Sequence, residues 1–195
     1  MINRYKTVLI TGAANGIGSS ILKKLSNYKF KIYALDKDKR KLKKICNETG
    51  AFPVNIDVTN IDLLYSRLTK LDVDILINNA GIGNGIEGLL KSSKGDIIKS
   101  TRVNYESILH ILKILVPKMV KKRNGHIFLI GSIAGLYPTD SAIYSSQKTA
   151  IHKIAQSLRI ELSGSRVKLT EITPGRTKTS FGNKIFSSNK MKKEF

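Results

Sequence analysis

Short apolar runs alternate with longer amphipathic stretches along this chain, and this alternation constrains its fold more than any other feature. Strands are expected at 7–10, 30–35, 52–58, 73–77, 126–130 and 167–172, and helices at 17–27, 38–48, 61–71, 94–120 and 142–162. Strands separated by helices of this length form βαβ units with parallel neighbours. The sequence therefore predicts an α/β fold with a doubly wound parallel sheet of six strands and helices on both faces.

Length and composition indicate one globular domain rather than several. The chain has 195 residues, of which 41% are hydrophobic, and this is enough for a sizeable core. We expect the domain to span residues 1–175 and residues 176–195 to form a mobile substrate loop or basic tail. Cys46 is the single cysteine, which excludes an intrachain disulfide framework. The N-terminus shows no signal-peptide core and the chain no membrane span, so we expect a cytoplasmic location.

The charge balance is strongly basic, and it raises the possibility of a nucleic-acid partner. The chain contains 34 lysine and arginine residues against 14 aspartate and glutamate residues, for a net charge of +20. The basic residues lie in short scattered groups without interleaved aromatic side chains that would stack on bases. Neither zinc-ligand spacing nor a helix-turn-helix pattern accompanies them. We therefore expect a solvated basic surface and no specific nucleic-acid partner.

A glycine-rich turn follows the first predicted strand directly, and a helix follows the turn. Its candidate phosphate-binding residues are Gly12, Asn15, Gly16, Ile17 and Gly18. Glycines let backbone N–H groups approach a pyrophosphate closely at the positive end of a helix. Asp36 ends the second strand, where a carboxylate can accept hydrogen bonds from the adenosine ribose. This pattern predicts a Rossmann-type dinucleotide site, and it lacks the lysine of a nucleotide-hydrolysing P-loop.

Three side chains form a candidate catalytic group. Tyr144 and Lys148 are four residues apart in a predicted helix and so share one face. A tyrosine ordinarily has a pKa near ~10, and we expect the Lys148 ammonium to lower the pKa of Tyr144. The Tyr144 phenol can then exchange a proton with a carbonyl oxygen that Ser132 holds by a hydrogen bond. Ser132 does not stand in the G-x-S-x-G motif of a hydrolase. The three histidines lack the spacing of metal ligands, so we expect no metal site.

Several motifs together resemble the short-chain dehydrogenase/reductase family over about residues 5 to 180. They are the glycine turn, Asn78-Asn79-Ala80-Gly81, Ser132, Tyr144-x-x-x-Lys148 and Pro174-Gly175. The resemblance implies an oxidoreductase that transfers a hydride between a nicotinamide cofactor and a hydroxyl or carbonyl substrate, with Tyr144 as acid and base. It also implies that Lys148 binds the nicotinamide ribose and that Asn104 supports a proton relay to Lys148. Further cofactor contacts are implied for Asp57, Val58, Asn78, Ala80, Gly81, Tyr144, Pro174, Gly175, Thr177 and Thr179.

The residues after the second strand bear on which nicotinamide cofactor binds. Asp36 would repel the 2′-phosphate of NADP, so we expect NAD. Lys37, Lys39 and Arg40 follow Asp36 closely and soften that repulsion, which leaves NADP open.

The resemblance also bears on assembly and on activity. The family often forms dimers, or larger oligomers, through its two long helices, and apolar residues of those helices either make that contact or face the sheet. The candidates are Ile108, Leu112, Leu115, Ile151 and Ile154. Only 20 residues follow Gly175, fewer than family members usually have, so we expect an open substrate pocket. This departure favours an alternative function: a cofactor-binding protein of this fold with little or no catalysis.

Overall fold

A six-stranded parallel sheet forms the centre of the protein. The computed structural model describes residues 4–177 and residue 179. Its strands are β1 (Thr7–Thr11), β2 (Lys31–Asp36), β3 (Phe52–Asn55), β4 (Ile75–Asn78), β5 (Gly125–Ile130) and β6 (Val167–Ile172). They lie in the order β3-β2-β1-β4-β5-β6, with every neighbouring pair parallel. The strand order reverses between β1 and β4, and a crevice opens at the carboxyl ends of strands at such a point.

Helices cover both faces of this sheet in the described part of the chain. They are α1 (Gly16–Leu25), α2 (Lys39–Thr49), α3 (Ile61–Leu68), α4 (Lys94–Thr101), α5 (Ser107–Lys121) and α6 (Ala142–Glu161). Side chains of β1 alternate between two cores because successive residues of a strand point to opposite faces. Val8 and Ile10 pack with α1 and α2, whereas Leu9 packs with α3, α5 and α6. The predicted doubly wound α/β fold with six strands is confirmed.

The predicted long helix at 94–120 differs from the structure. A π-helical turn, Arg102–Glu106, separates α4 from α5. Such turns leave no signature in apolar periodicity, and they occur frequently at functional sites. Short 3₁₀ turns at Leu89–Lys91 and Ile133–Gly135 also lay outside the sequence prediction. Strand β3 ends at Asn55 rather than at residue 58.

The apolar residues considered for a dimer contact are covered by the chain's own core. The relative exposures of Ile108, Leu112, Leu115 and Ile151 are 3%, 6%, 1% and 1%, and the partly buried Ile154 packs against the same cluster. Of the two orientations that the helical spacing allowed, the structure shows the one that faces the sheet. The expectation that these five residues form a dimer contact is therefore wrong.

A buried carboxylate fastens the amino end of the sheet. Oδ2 of Asp74 accepts hydrogen bonds from the backbone N–H groups of Lys6 (2.8 Å) and Thr7 (3.0 Å). Its Oδ1 accepts from Lys122 Nζ (2.7 Å) and Asn124 Nδ2 (3.0 Å). Burial raises the pKa of Asp74, but the hydrogen bonds and the Lys122 ammonium outweigh burial and hold that pKa below its ordinary value.

The predicted division of the chain at residue 175 stays a prediction. Residues 178 and 180–195 of the predicted tail lie outside the described residues. Within the described ranges, none of the helices is both long and apolar enough to cross a membrane.

Candidate active site

The glycine turn lies at the carboxyl end of β1, where its backbone can adopt angles that other residues avoid. Gly12 and Gly16 have φ values of +64° and +52°. Gly18 serves close packing instead, because a Cβ built there would lie 2.1 Å from the carbonyl oxygen of Gly12. The first turn of α1 can therefore approach the backbone of Gly12 only with a glycine at position 18.

Thr11 and Asn79 fasten this turn to the end of β4. Thr11 Oγ1 accepts hydrogen bonds from the N–H groups of Asn79 and Ala80, each at 3.0 Å. The side-chain Nδ2 of Asn79 donates to the carbonyl oxygens of Thr11 (2.9 Å) and Gly12 (3.2 Å). Asn79 thus braces the glycine turn against the end of β4 through these hydrogen bonds.

Two features of this region fit a dinucleotide. Asn15 precedes α1 without capping it through its side chain, which leaves the positive helix terminus to an external anion. Asn78 is 3% exposed, and its Nδ2 lacks a hydrogen-bond partner within the described part of the chain. A buried unpaired donor is costly, and a polar ligand group would satisfy it. The partly buried Ile17 follows Gly16, and Thr179 lies beside the turn, 3.5 Å from a Cβ built at Gly16.

The carboxylates predicted to face the adenosine half are held by local hydrogen bonds. Asp36 accepts from the N–H groups of Ala14 (3.0 Å) and Asp38 (2.9 Å), which places its carboxylate against the glycine turn. Asp57 pairs with Lys37 Nζ at 3.4 Å. Burial raises the pKa of Asp57, but hydrogen bonds from Thr59 and the Lys37 ammonium together lower it. The neighbouring Val58 is buried in the core.

Ser132 and Tyr144 come together although they belong to different elements. Ser132 follows β5, and Tyr144 lies in the first turn of α6. Burial raises the pKa of the Tyr144 phenol above its ordinary value, and a hydrogen bond with the Ser132 side chain offsets part of that rise. The expectation that the Tyr144 pKa lies below its ordinary value is therefore wrong, because desolvation of the phenol outweighs the lowering by the Ser132 hydrogen bond.

Lys148 lies one helical turn beyond Tyr144, with its amine buried. Its Nζ donates to the carbonyl oxygen of Ile130 (2.9 Å) and lies 5.7 Å from the centroid of the Tyr144 ring. Burial lowers the pKa of Lys148 to about 8, and the carboxylate of Glu171 acts in the opposite direction. The amine thus titrates much closer to neutrality than an exposed lysine.

The π-helical turn presents Asn104 to the loop that follows β4. Asn104 Oδ1 accepts from the N–H of Ile82 (2.8 Å), and its Nδ2 donates to the Ile82 carbonyl (2.9 Å) and to Gln147 Oε1 (2.8 Å). A Cβ at Gly81 would lie 3.4 Å from Asn104 Oδ1. Gln147 precedes Lys148 in α6, so Asn104 is joined to the helix that carries Tyr144 and Lys148. Sequence analysis did not identify Gln147 as part of this network.

The end of β6 completes the edge of the site. The N–H of Ile133 donates to the Pro174 carbonyl at 3.1 Å, which holds the residue after Ser132 against the predicted nicotinamide side. Thr177 Oγ1 donates to the carbonyl of Gly175 at 3.2 Å. Pro174, Gly175 and Thr177 therefore follow the carboxyl end of β6, beside the segment that contains Ser132. In the described part of the chain, no group of three or more histidine, cysteine, aspartate or glutamate side chains is arranged to hold a metal ion.

Comparisons with known proteins agree with this arrangement. A family model described as short chain dehydrogenase matches residues 6–190. An uncharacterized short-chain type dehydrogenase/reductase, y4eK of Sinorhizobium fredii, is 32% identical over 180 residues, which cover 92% of this chain and 73% of that protein. The NADP-dependent 3-hydroxy acid dehydrogenase YdfG of Escherichia coli is 31% identical, with 96% of this chain and 79% of YdfG covered. The closed form of a serine dehydrogenase complexed with NADP⁺ has a TM-score of 0.86 at 31% identity, covering 91% of this chain and 75% of that structure.

The chain belongs to the short-chain dehydrogenase/reductase family. It is a nicotinamide-dependent oxidoreductase, as the sequence predicted, and nothing in the comparisons favours the alternative of a cofactor-binding protein without catalysis.

Proposed function

We propose that this enzyme interconverts a carbonyl compound and its alcohol, with Tyr144 as the acid and base. The observation that supports this most is the hydrogen bond between the Ser132 and Tyr144 side chains, next to the buried amine of Lys148. Two hydroxyl groups so placed can both reach one substrate oxygen.

Each side chain has a distinct task in this proposal. A bound nicotinamide supplies or accepts the hydride. Tyr144 donates its phenolic proton to the carbonyl oxygen during reduction and takes it back during oxidation, while Ser132 holds that oxygen. The Lys148 ammonium sits 5.7 Å from the Tyr144 ring centroid, where its charge favours the phenolate that forms when the proton leaves. Asn104 fixes the loop beside them and extends the proposed proton path toward Lys148.

The conservative variant Tyr144→Phe tests this assignment. It removes one oxygen atom, and we expect the loss of a general acid to lower turnover by about 10²–10⁴-fold. NADH fluorescence should show cofactor binding within about threefold of wild type, since the hydroxyl and not the ring is removed. Tyr28→Phe, at a position 51% exposed beyond the end of α1, is the matched control. Unchanged turnover of Tyr144→Phe across a panel of ketones and aldehydes would refute the assignment.

For the cofactor, we propose a preference for NAD. The support is the placement of Asp36, whose carboxylate is held against the glycine turn by two backbone N–H groups and would face a 2′-phosphate with like charge. NADP is the second candidate, because YdfG and the serine dehydrogenase structure are both named with NADP and because Lys37, Lys39 and Arg40 adjoin Asp36.

Kinetics with NADH and NADPH distinguish these two candidates. For NAD preference we expect kcat/KM to be higher with NADH, and Asp36→Ala to move the ratio toward NADPH by about tenfold, the effect of one like charge near the surface. Asp38→Asn removes the same charge two residues away and keeps a side chain that can cap α2, so it should leave the ratio almost unchanged. A wild-type preference for NADPH would reverse the proposal.

The described rim of the site indicates an uncharged, partly apolar substrate. Ile133, Leu136 and Tyr137 are 44%, 43% and 68% exposed on the loop after β5. The described stretches 80–90 and 131–147 contain neither lysine nor arginine, although the chain is strongly basic. We therefore propose that a 3-oxo ester is reduced with a higher kcat/KM than its free acid. A preference for the acid would contradict this.

We also propose a homo-oligomer, as the family resemblance implies, and a cytoplasmic location. Apolar side chains that remain exposed on α4, the π-helical turn and α5 support a contact between subunits. They are Ile97, Ile98, Tyr105 and Leu109. Sedimentation at micromolar concentration should give a dimer or a tetramer, and a monomer would contradict this. Cell fractionation tests the location.

A further inference from the structure

Strand β6 carries a buried carboxylate that the proposed chemistry does not use. Glu171 is the register partner of Leu129 on β5, so both side chains point to the face that α6 covers. The side chain of Glu171 is only 7% exposed. A carboxylate buried to this extent requires partners, because taking a charge out of water is costly.

The missing side chain of Gly131 provides the space for this carboxylate. A Cβ built at Gly131 would lie 2.6 Å from Glu171 Oε1. Gly131 directly precedes Ser132 and follows Ile130, whose carbonyl accepts the hydrogen bond from Lys148. The carboxylate of Glu171 therefore lies beneath the segment that joins the proposed catalytic serine to the backbone acceptor of the proposed catalytic lysine.

Helix α6 holds the other oxygen of the carboxylate. Glu171 Oε2 and His152 Nδ1 are 2.7 Å apart, and His152 Nε2 lies 3.0 Å from Gln156 Nε2. His152 is four residues after Lys148 and so lies on the same face of α6. Glu171 is thereby fixed on the side of α6 from which Lys148 reaches toward β5.

We propose that Glu171 is a positioning residue of the active site, whose fixed carboxylate keeps the buried amine of Lys148 in its ammonium form. This inference rests on the proposed function in one respect, the role of Lys148. An ammonium so stabilised keeps its charge beside Tyr144 at higher pH than a buried lysine alone would.

The surroundings of Lys148 leave Glu171 as the group that matters for this charge. On α6, the Tyr144 ring centroid lies 5.7 Å from the amine, and His152 pairs with the Glu171 carboxylate. Gln147 and Asn104 are uncharged. Among the described residues, Glu171 is the group whose charge shifts the pKa of Lys148, upward and against burial.

The variant Glu171→Gln tests the proposal, because it removes the charge and almost preserves the shape. The pKa of Lys148 is measured by NMR titration of ¹³Cε-labelled lysine, and Lys148→Arg identifies the resonance. We expect Glu171→Gln to lower that pKa by on the order of one unit. Glu171→Asp keeps the charge and should hold the pKa closer to wild type. Glu161→Gln, at an exposed position at the end of α6, removes an equal charge and should have no effect.

A purely structural role for Glu171 makes a different prediction. Urea unfolding would then show a loss of stability in Glu171→Gln while the pKa of Lys148 stayed at the wild-type value, and that result would overturn the proposal. If Glu171→Gln does not fold, Glu171→Asp and His152→Ala take its place, because the first keeps the charge and the second frees the carboxylate to move. An unchanged Lys148 pKa in Glu171→Asp together with a lowered Lys148 pKa in His152→Ala supports the proposal. Unchanged Lys148 pKa values in both variants overturn it.

Reductive turnover gives a second measurement. If Lys148 acts as an ammonium, the alkaline limb of kcat/KM, which reports groups of the free enzyme, should move to lower pH in Glu171→Gln along with the NMR pKa. A shifted NMR pKa with an unmoved kcat/KM profile would leave the electrostatic inference standing and refute the role proposed for Lys148. The two failures are therefore distinguishable.

Discussion

Removing the side chain of Asn79 should destabilise the protein at the glycine turn and at the end of β1 that leads into it. Asn79 Nδ2 donates two hydrogen bonds, to the carbonyl oxygens of Thr11 and Gly12. Asn79→Ala deletes both bonds and leaves Gly12, which needs a positive φ, without its side-chain support. Thr11 is the last residue of β1, so the change reaches the end of that strand, whereas Asn79 belongs to neither of the two apolar cores.

The size of the effect follows from the bonds that are lost. A net contribution of about 0.5–1.5 kcal/mol per hydrogen bond predicts a decrease of about 1–3 kcal/mol in the free energy of unfolding. At about 2–4 °C per kcal/mol for a chain of this length, a loss of about 2 kcal/mol lowers Tm by about 4–8 °C.

Thermal unfolding by circular dichroism, with Asn55→Ala as the control, measures this loss. Asn55 Nδ2 also donates two bonds to backbone carbonyls, of Asp36 at 2.9 Å and Lys37 at 3.1 Å, but Asn55 is exposed and water can replace it. The Asn55→Ala loss should therefore stay below about 1 kcal/mol. Equal losses in the two variants would refute the view that partial burial gives the Asn79 brace its value.

Two further substitutions test the close packing of the turn and the amino end of the sheet. Gly18→Ala places a Cβ 2.1 Å from the Gly12 carbonyl oxygen, so NADH binding should weaken by more than about tenfold. Gly95→Ala is the control, because the nearest contact of its Cβ is at 3.6 Å and it should bind NADH normally. Fluorescence titration of both variants with NADH measures the difference. Asp74→Asn should cost about 1–3 kcal/mol at pH 7. Because the folded pKa of Asp74 lies below its ordinary value of 3.8, the stability advantage of wild type over Asp74→Asn is complete above about pH 5 and is lost as pH falls through the folded pKa. Urea unfolding of both proteins at pH 7 and at pH 3 measures this advantage. An equal difference between their urea midpoints at the two pH values would contradict the prediction.

Features of this structure that depend on a regular local sequence pattern were predictable from the sequence. Buried parallel strands are continuous apolar runs, and their alternation with helices predicted the parallel sheet of six strands. The glycine turn after β1 and the Tyr144–Lys148 pair were also predictable, because both depend on local spacing.

Contacts between distant segments were not predictable in this way. The brace from Asn79 and the placement of Glu171 beneath Gly131 depend on which backbone lies next to which side chain after folding. The direction of the Tyr144 pKa depends on burial, which spacing does not reveal. Helical periodicity identified the apolar faces of α5 and α6 correctly but could not say whether the sheet or a second subunit covers them.

Transfer of a labelled hydride tests whether Tyr144 is the acid that completes ketone reduction. The enzyme is supplied with nicotinamide cofactor that carries deuterium on the transferable position, and the alcohol formed from a ketone is analysed by mass spectrometry. We expect wild type to form product with one deuterium per molecule, and Tyr144→Phe, although it binds the cofactor, to form less than about 1% as much. Equal amounts of labelled product from both proteins would refute the catalytic role of Tyr144.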